Sequence, residues 1–528
     1  MKMARFFNTA GPIRPEKNYC IDPLHRINLD EILSLIQQEK YFVVHAPRQT
    51  GKTSYLLALT EYLNQQGTYK CLYTNIESAQ AARENVFDGM REILNSLASD
   101  ATYYLNDPFF KDNGKQILDE TGAFGALKAA LSLWCQNNEK PVVLFIDEID
   151  SLVGDTLISV LRQLRSEYPK RPRFFPQSII LCGVRDVRDY RIHSDQEKTV
   201  VTGGSAFNIK SESLRLGNFT GPEIEELYTQ HTTETGQPFH KEIFPLIGEL
   251  TEGQPWLVNA LAYETCFKMA AGKDRCTAIT VAMINQAKEN LILRRVTHLD
   301  QLSDKLKEER VRRVIEPILV GAPKSKSMLE EEVDYVVDLG LIKKDGEIRI
   351  ANRIYQELIP RTLTYSTQLT INQESSWYKK EDSSLDMDKL LTNFQDFFRM
   401  NFESWVDGFQ YQEAGPQLLL QAFLQRIVNG GGRVEREYGL GRQRTDILVL
   451  WPYQNTMQRA VIELKLLYGK LETTIQTGMA QTYQYMDKCN ATEGFLLVIN
   501  KAKKISWQKK IFKKTLPYQE TQITVFGM

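Results

Sequence analysis

Cysteine is scarce and scattered: seven residues in 528 (Cys20, Cys71, Cys135, Cys182, Cys266, Cys276 and Cys489), with no Cys-x-x-Cys pair among them. That spacing supplies neither a disulfide framework nor a structural zinc site, and it fits a reducing compartment. An excess charge of one sign is also missing, since 65 Lys and Arg residues stand against 66 Asp and Glu. With a formal net charge of −1, nothing draws the whole chain to nucleic acid or to an anionic membrane, so a polyanion site has to come from a local patch. Long apolar runs are lacking as well. The first residues, MKMARFFNTAGPIRPEK, contain no apolar stretch of the secretory type, and no segment approaches the roughly 20 apolar residues of a membrane span. A cytoplasmic protein with no membrane partner is expected. The six histidines (His25, His45, His193, His231, His240 and His298) have neither metal-ligand nor triad spacing and receive no role. No internal repeat of solenoid period is visible.

What is present is an ordinary globular composition, 42% hydrophobic and 25% charged, which excludes large-scale disorder. At about 100–200 residues per domain the length suggests about two to five folded units. In the first half, short apolar runs alternate with amphipathic stretches. Tyr41–His45, Lys70–Asn75, Val142–Ile146 and Ser178–Gly183 read as buried strands, with helices over Thr53–Gln65 and Glu84–Leu97. Near-continuous apolar strands between helices imply a parallel sheet covered on both faces. Residues 221–287 carry helical periodicity, as in Glu223–Thr233 and Pro255–Met269. From His298 to about Thr364, helical patterns lead to two short strands flanking Lys344-Asp345-Gly346-Glu347, a tight hairpin turn. Helices followed by a small hairpin resemble a winged helix; a generic α+β module is the other reading. The polar, Ser-rich stretch from about Tyr365 to Leu385 reads as a linker, followed by a helix over Asp386–Asn401 and a further αβ pattern to Met528.

Two constellations carry chemistry. In FVVHAPRQTGKTSYLLALT a strand ends at His45, and Ala46, Pro47, Arg48, Gln49, Thr50, Gly51, Lys52, Thr53 and Ser54 run into a helix. The pattern is G-x-x-x-x-G-K-[ST] with Ala46 in the first glycine's place. Backbone N–H groups of such a loop cradle phosphate oxygens, Lys52 supplies a charge to the β- and γ-phosphates, and Thr53 reaches Mg²⁺. In PVVLFIDEIDSL an apolar strand delivers Asp147 and Glu148 at its C-terminal end, where ligands sit in open α/β sheets. There Asp147 would hold the Mg²⁺ shell and Glu148 would polarise the attacking water. ATP and Mg²⁺ are the expected cofactors.

These motifs resemble the AAA-type P-loop ATPases, and more closely their STAND branch. The resemblance places Arg185 of SIILCGVRDVRDY in a γ-phosphate sensor role. It places Pro255 of Gly253-Gln254-Pro255 against adenine, although Gly236-Gln237-Pro238 has the same letters. No arginine finger stands out from Arg162, Arg165, Arg171 and Arg173.

The second constellation is C-terminal. A helix beginning near Gln412 and carrying Glu413 precedes a strand over Val434–Tyr438. The return strand, Thr445–Leu450, carries Asp446, and a third strand, Ala460–Leu466, carries Glu463 and Lys465. Period-two alternation puts Glu463 and Lys465 on one strand face with Leu464 opposite. Two carboxylates suit a hard cation, and the lysine orients water or stabilises charge, which is chemistry for hydrolysing phosphodiesters. The layout D-x16-E-x-K resembles the PD-(D/E)XK nucleases, here with Thr445 rather than Pro before Asp446. Gln481 and Tyr485 match the Q-x-x-x-Y of RecB-like members, which supports the site and contacts the substrate strand, and Glu413 matches a helix-borne acid that joins the metal shell. Residues 501–514 hold seven lysines and no acid, with Trp507 interleaved; a backbone-tracking surface and a solvated face are both open.

The expected fold is therefore α/β: a P-loop ATPase core over 1–205, a helical lid over 206–295, a winged-helix-like segment over 296–365, a linker over 366–394 and a PD-(D/E)XK nuclease-like domain over 395–528. The expected function is an ATP-regulated, Mg²⁺-dependent nuclease of prokaryotic defence or mobile elements, acting on nucleic acid with DNA favoured over RNA. A homo-oligomer is compatible with the motifs. An ATPase switch whose C-terminal domain binds DNA or protein without cutting is the alternative, and a protein-remodelling chaperone ranks third.

Overall fold

The computed structural model describes residues 5–185, 191–194, 199–202, 207, 209–294, 297–319, 329–346, 348–363, 378–406, 414–428, 432–436, 447–454, 456–502 and 504–528. The chain forms two compact units, one of residues 1–295 with 338–340, the other of 296–337 with 341–528.

In the first unit, β1 (Tyr41–His45), α1 (Lys52–Gln66), β2 (Lys70–Asn75), α2 (Val86–Leu105), α3 (Phe109–Thr121), α4 (Ala126–Gln136), β3 (Val142–Asp147), α5 (Gly154–Ser166), β4 (Ser178–Gly183) and β5 (Lys210–Arg215) follow in order. The strands form one parallel sheet in the order β2-β3-β4-β1-β5. Alternation explains why the strands read as unbroken apolar runs. Tyr41, Val43, Leu144, Ile146 and Leu181 point into a core with α2 to α5, while Phe42, Val44, Phe145 and Cys182 point into a second core with α1 and the helix Leu29–Gln37. Both faces are dry, so neither carries a polar stripe. The fifth strand, Lys210–Arg215, was not expected: KSESLR is polar, and it takes strand form by pairing with β1 along the sheet edge. Helices α6 (Gly221–Thr235), α7 (Ile243–Thr251), α8 (Pro255–Tyr263) and α9 (Val281–Leu293) follow. The helix expected over Pro255–Met269 ends as an α-helix at Tyr263 and continues as a π-turn over Glu264–Lys268.

In the second unit, α10 (Thr297–Lys305), α11 (Glu309–Leu319) and α12 (Glu330–Asp338) lead to an antiparallel hairpin of β6 (Ile342–Lys343) and β7 (Arg349–Ile350), then α13 (Arg353–Leu363). Next come α14 (Met387–Val406), α15 (Ala414–Val428), β8 (Arg433–Arg436), β9 (Ile447–Tyr453), β10 (Thr456–Leu466), α16 (Leu471–Cys489), β11 (Glu493–Ile499), β12 (Phe512–Tyr518) and β13 (Thr521–Gly527). The sheet order is β8-β9-β10-β11-β13-β12, and the sheet is mixed: β10, β11 and β13 are parallel, the outer pairs antiparallel. Helices α14 and α15 pack on one face through Leu390, Phe394, Leu419 and Phe423; α16 packs on the other through Ile475, Met479 and Met486.

One expectation is corrected here. Residues 378–394, placed in the linker, are built into the fold. Tyr378 and Leu385 are core residues, the Trp451 indole donates to Ser383 O at 2.9 Å, and Leu385 N–H donates to Gln458 Oε1 at 2.8 Å. Asp382 and Ser384 serve the turn by bonding each other, while Lys379, Lys380 and Glu381 stay exposed to solvent. In the lysine-rich tail, Trp507 is half-buried and packs edge-on against Phe398 at 6.3 Å. Lys510 is buried and Lys513 pairs with Asp388, while β12 forms the outer edge of the sheet, where lysines discourage strand addition.

One buried group sets an acid limit on this second unit. His298 Nε2 lies 2.7 Å from the Tyr355 hydroxyl, and burial pulls its pKa down to about 3, against 6.5 for an ordinary imidazole. Unfolding takes up a proton between those values, so stability rises with pH across that window and is lost as pH falls, by up to about 1.4 kcal/mol per unit. His298→Gln cannot titrate. Its denaturant midpoint is expected to fall less steeply than that of wild type between about pH 6.5 and pH 5 in urea series followed by circular dichroism; parallel slopes would exclude His298 as the cause.

Candidate functional site

The phosphate-type loop lies between β1 and α1, at the C-terminal edge of the parallel sheet. Gln49 (φ 59°) and Gly51 (φ 96°) take left-handed conformations, and Gly51 is the N-cap of α1, with no side chain capping the helix. Only Arg26 Nη1, at 3.6 Å, approaches where a Cβ at Gly51 would lie, so backbone conformation rather than space demands glycine. Ala46 is buried and is not among the positive-φ residues, which is why alanine is tolerated where the motif has glycine. The Thr50 hydroxyl donates to Pro47 O at 2.7 Å and ties the loop together. Lys52, 6% exposed, donates from Nζ to Ala46 O at 2.9 Å and Pro47 O at 3.2 Å. Arg48 is exposed at the loop's rim, and Ser54 Oγ accepts from Ile13 N–H at 3.0 Å.

β3 ends on Asp147, fully buried, two strands away from β1. Its Oδ2 accepts from Thr53 Oγ1 at 2.7 Å and from the Tyr73 hydroxyl at 3.0 Å; its Oδ1 accepts from Glu148 N–H at 3.0 Å. Glu148 follows at φ 58°, a conformation that non-glycine residues hold only under constraint. Burial first, and then the charges of Asp150 and Asp147, push the Glu148 carboxyl up to about 7 against the pull of Lys52. These groups fit a magnesium nucleotide. A hydroxyl and a carboxylate offer hard oxygens, and a helix N-terminus without a side-chain cap beside a buried ammonium suits phosphate.

The structure separates the two Gly-Gln-Pro triplets. Gly253 (φ 71°) has its Cβ position 1.9 Å from Phe219 O, so only glycine fits. Gln254 then caps α8 by accepting from Leu257 N–H at 2.6 Å, and its Nε2 reaches Gln49 O of the phosphate loop at 3.4 Å. Pro255 opens α8 at that point. Gln237 of the other triplet is buried and donates to Gly272 O, Asp274 O and Thr277 O, so that triplet is committed to helix packing. Arg185 is half-buried two residues beyond β4, the strand between β3 and β1. Arg171 stacks on the rings of Tyr168 (3.4 Å) and Tyr41 (5.1 Å).

Two site neighbours carried no sequence signal. Arg26 lies over the Phe219 ring at 4.6 Å and donates to Thr50 O at 3.4 Å, and burial draws its pKa down to about 10. Tyr73 holds Asp147 from β2. Their relation to the loop is set by sheet register and packing, not by spacing along the chain.

In the second unit, Glu463 and Lys465 pair at 2.5 Å on the face of β10 that α16 covers, and Leu464 turns to the opposite core. Glu463 is 2% exposed. Gln481 and Tyr485 lie on α16, and the Tyr485 hydroxyl is buried with no hydrogen-bond partner among the described residues. Asp446 and Glu413 lie outside the described residues, immediately before β9 and α15. Among the described residues, no three of His, Cys, Asp and Glu gather as a metal cluster. No described helix is long and apolar enough to cross a membrane.

No curated protein matches the chain. Among solved structures, a Walker-type ATPase of Pyrococcus abyssi is similar at 15% identity and a TM-score of 0.46, covering 67% of this chain and 99% of that one. The RuvB Holliday junction branch migration motor of Thermotoga maritima is similar at 12% identity and a TM-score of 0.33, covering 63% and 95%. Cdc6p of Pyrobaculum aerophilum is similar at 13% identity and a TM-score of 0.35, covering 65% and 93%. The family described as the AAA-like domain is matched over residues 23–359, well over half of the sequence, and the chain belongs to that family.

Proposed function

We propose that the chain is an ATP-binding and ATP-hydrolysing switch controlling a Mg²⁺-dependent nuclease. The ATPase half is carried by one observation, the 2.7 Å bond between Thr53 and Asp147, which brings hydroxyl and carboxylate to one point beside the phosphate loop. In this reading residues 46–54 wrap the phosphates, with Lys52 on the β- and γ-phosphates. Thr53 and Asp147 hold Mg²⁺, which when bound neutralises phosphate charge and polarises the γ-phosphoryl group. Glu148 orients water and accepts its proton. Arg185 and Pro255 act as γ-phosphate sensor and adenine contact, as in STAND ATPases.

The nuclease half rests on the pair of buried Glu463 with half-buried Lys465 beneath the helix that bears Gln481 and Tyr485. Glu463 and Asp446, joined by Glu413, would hold Mg²⁺, which when bound supplies Lewis-acid polarisation of a phosphodiester. Lys465 orients the attacking water. The proposed organisation is ATPase core over 1–205, lid over 206–295, winged-helix-like segment over 296–365 and nuclease-like domain toward the C-terminus. DNA is the favoured substrate, a homo-oligomer the favoured assembly, and prokaryotic defence or mobile-element biology the setting, in the cytoplasm.

Purified full-length protein incubated with Mg²⁺ and single- or double-stranded DNA and RNA, with and without ATP, tests this. Phosphodiester cleavage that changes with ATP is the expected result. ATP hydrolysis without cutting of any substrate would replace it with the alternative, a switch whose C-terminal unit only binds DNA or protein.

A further inference from the structure

We propose that Tyr73 is a positioning residue for Asp147, fixing the carboxylate that receives Mg²⁺. The inference rests on the reading of Thr53 and Asp147 as metal ligands. In the parallel register of β2 and β3, Tyr73 pairs with Phe145 and Asn75 with Asp147. Tyr73 and Asp147 are therefore diagonal neighbours on one sheet face, the face that α1 covers, within reach of a long side chain. The geometry uses that placement: the Tyr73 hydroxyl donates to Asp147 Oδ2 at 3.0 Å.

Besides the buried Cys182 thiol, which also hydrogen-bonds Asp147, three donors hold this carboxylate, and they differ in what else they do. Thr53, at 2.7 Å from Oδ2, is itself a proposed ligand, and the Glu148 N–H on Oδ1 belongs to the adjoining peptide. Tyr73 is a hydroxyl donor that is not itself a proposed ligand, and it also hydrogen-bonds the Asn75 side chain on its own strand. Its ring is anchored: it is 4% exposed, and Tyr104 of α2 meets it edge-on at 5.8 Å and 86°. Groups that orient a metal ligand from behind typically change metal affinity about 10–100-fold when removed. A tyrosine present only to fill the core would have no such effect, because phenylalanine fills the same volume.

The test compares wild-type protein with Tyr73→Phe in the full chain, following a fluorescent ADP analogue by anisotropy as MgCl₂ is added. The Mg²⁺ concentration for half-maximal enhancement of binding is expected to rise about tenfold in the variant. Nucleotide affinity in EDTA should stay within about twofold of wild type, which also reports that the variant is folded. Superimposable Mg²⁺ curves overturn the assignment while leaving the phosphate-loop reading intact. Loss of affinity in EDTA as well overturns it too, since that marks a tyrosine needed for structure generally. Wild-type binding that ignores Mg²⁺ strikes the metal site itself, and the role of Tyr73 with it.

Discussion

Lys52→Ala is expected to lower ATP hydrolysis by at least about 100-fold, the scale on which a preorganised charge at a developing anion acts. The ammonium is nearly buried and held by Ala46 O and Pro47 O, so it already stands inside the loop that would receive the phosphates. Alanine removes the charge and both loop bonds. The fold should survive, because α1 is anchored through Tyr55, Leu56, Leu59 and Leu63 rather than through Lys52. Phosphate release under saturating ATP measures the effect, with a thermal melt as control. Hydrolysis above a tenth of the wild-type rate would show that the loop is not the hydrolytic site.

Lys465→Ala is expected to abolish phosphodiester cutting, and the fold complicates that experiment. Lys465 neutralises a carboxylate that is only 2% exposed, and breaking such a pair from one side costs about 3–5 kcal/mol when both ends are buried, less here because Lys465 is 23% exposed. Inactivity of Lys465→Ala alone therefore does not separate lost chemistry from unfolding. The double variant Glu463→Gln with Lys465→Met removes both charges at nearly constant volume, so it should melt close to wild type and still fail to cut. Plasmid nicking in Mg²⁺, read on gels beside circular dichroism melts, separates the cases. Cutting by the folded double variant would assign the activity elsewhere.

How much was legible in the amino-acid order differs between the two sites. The phosphate loop is contiguous, nine residues running from the end of a strand into the first turn of a helix, so its chemistry could be read before any fold was known. Asp147 and Glu148 were legible because an apolar strand ending in two acids, weak as a signal alone, follows Thr53 of the phosphate loop by 94 residues. The pair Glu463 and Lys465 was legible through period two, and the observed faces follow that alternation, with Leu464 on the far side. Polarity misled where packing overrides it, as at residues 378–394, where Tyr378 and Leu385 join the core between exposed charges.

By itself, then, the sequence determined the residues of the loop, the strands that bear the acids and the parallel α/β character of the first unit, because each depends on local order and on periodicities of two and 3.6. Only the tertiary structure decided that Gln254 rather than Gln237 meets the phosphate loop, that Arg26 packs behind it, that Tyr73 grips Asp147, and that Lys210–Arg215 becomes a strand. Those relations join residues far apart in the chain, and they are set by sheet register and the packing of helices on a common core, which leave no trace in spacing.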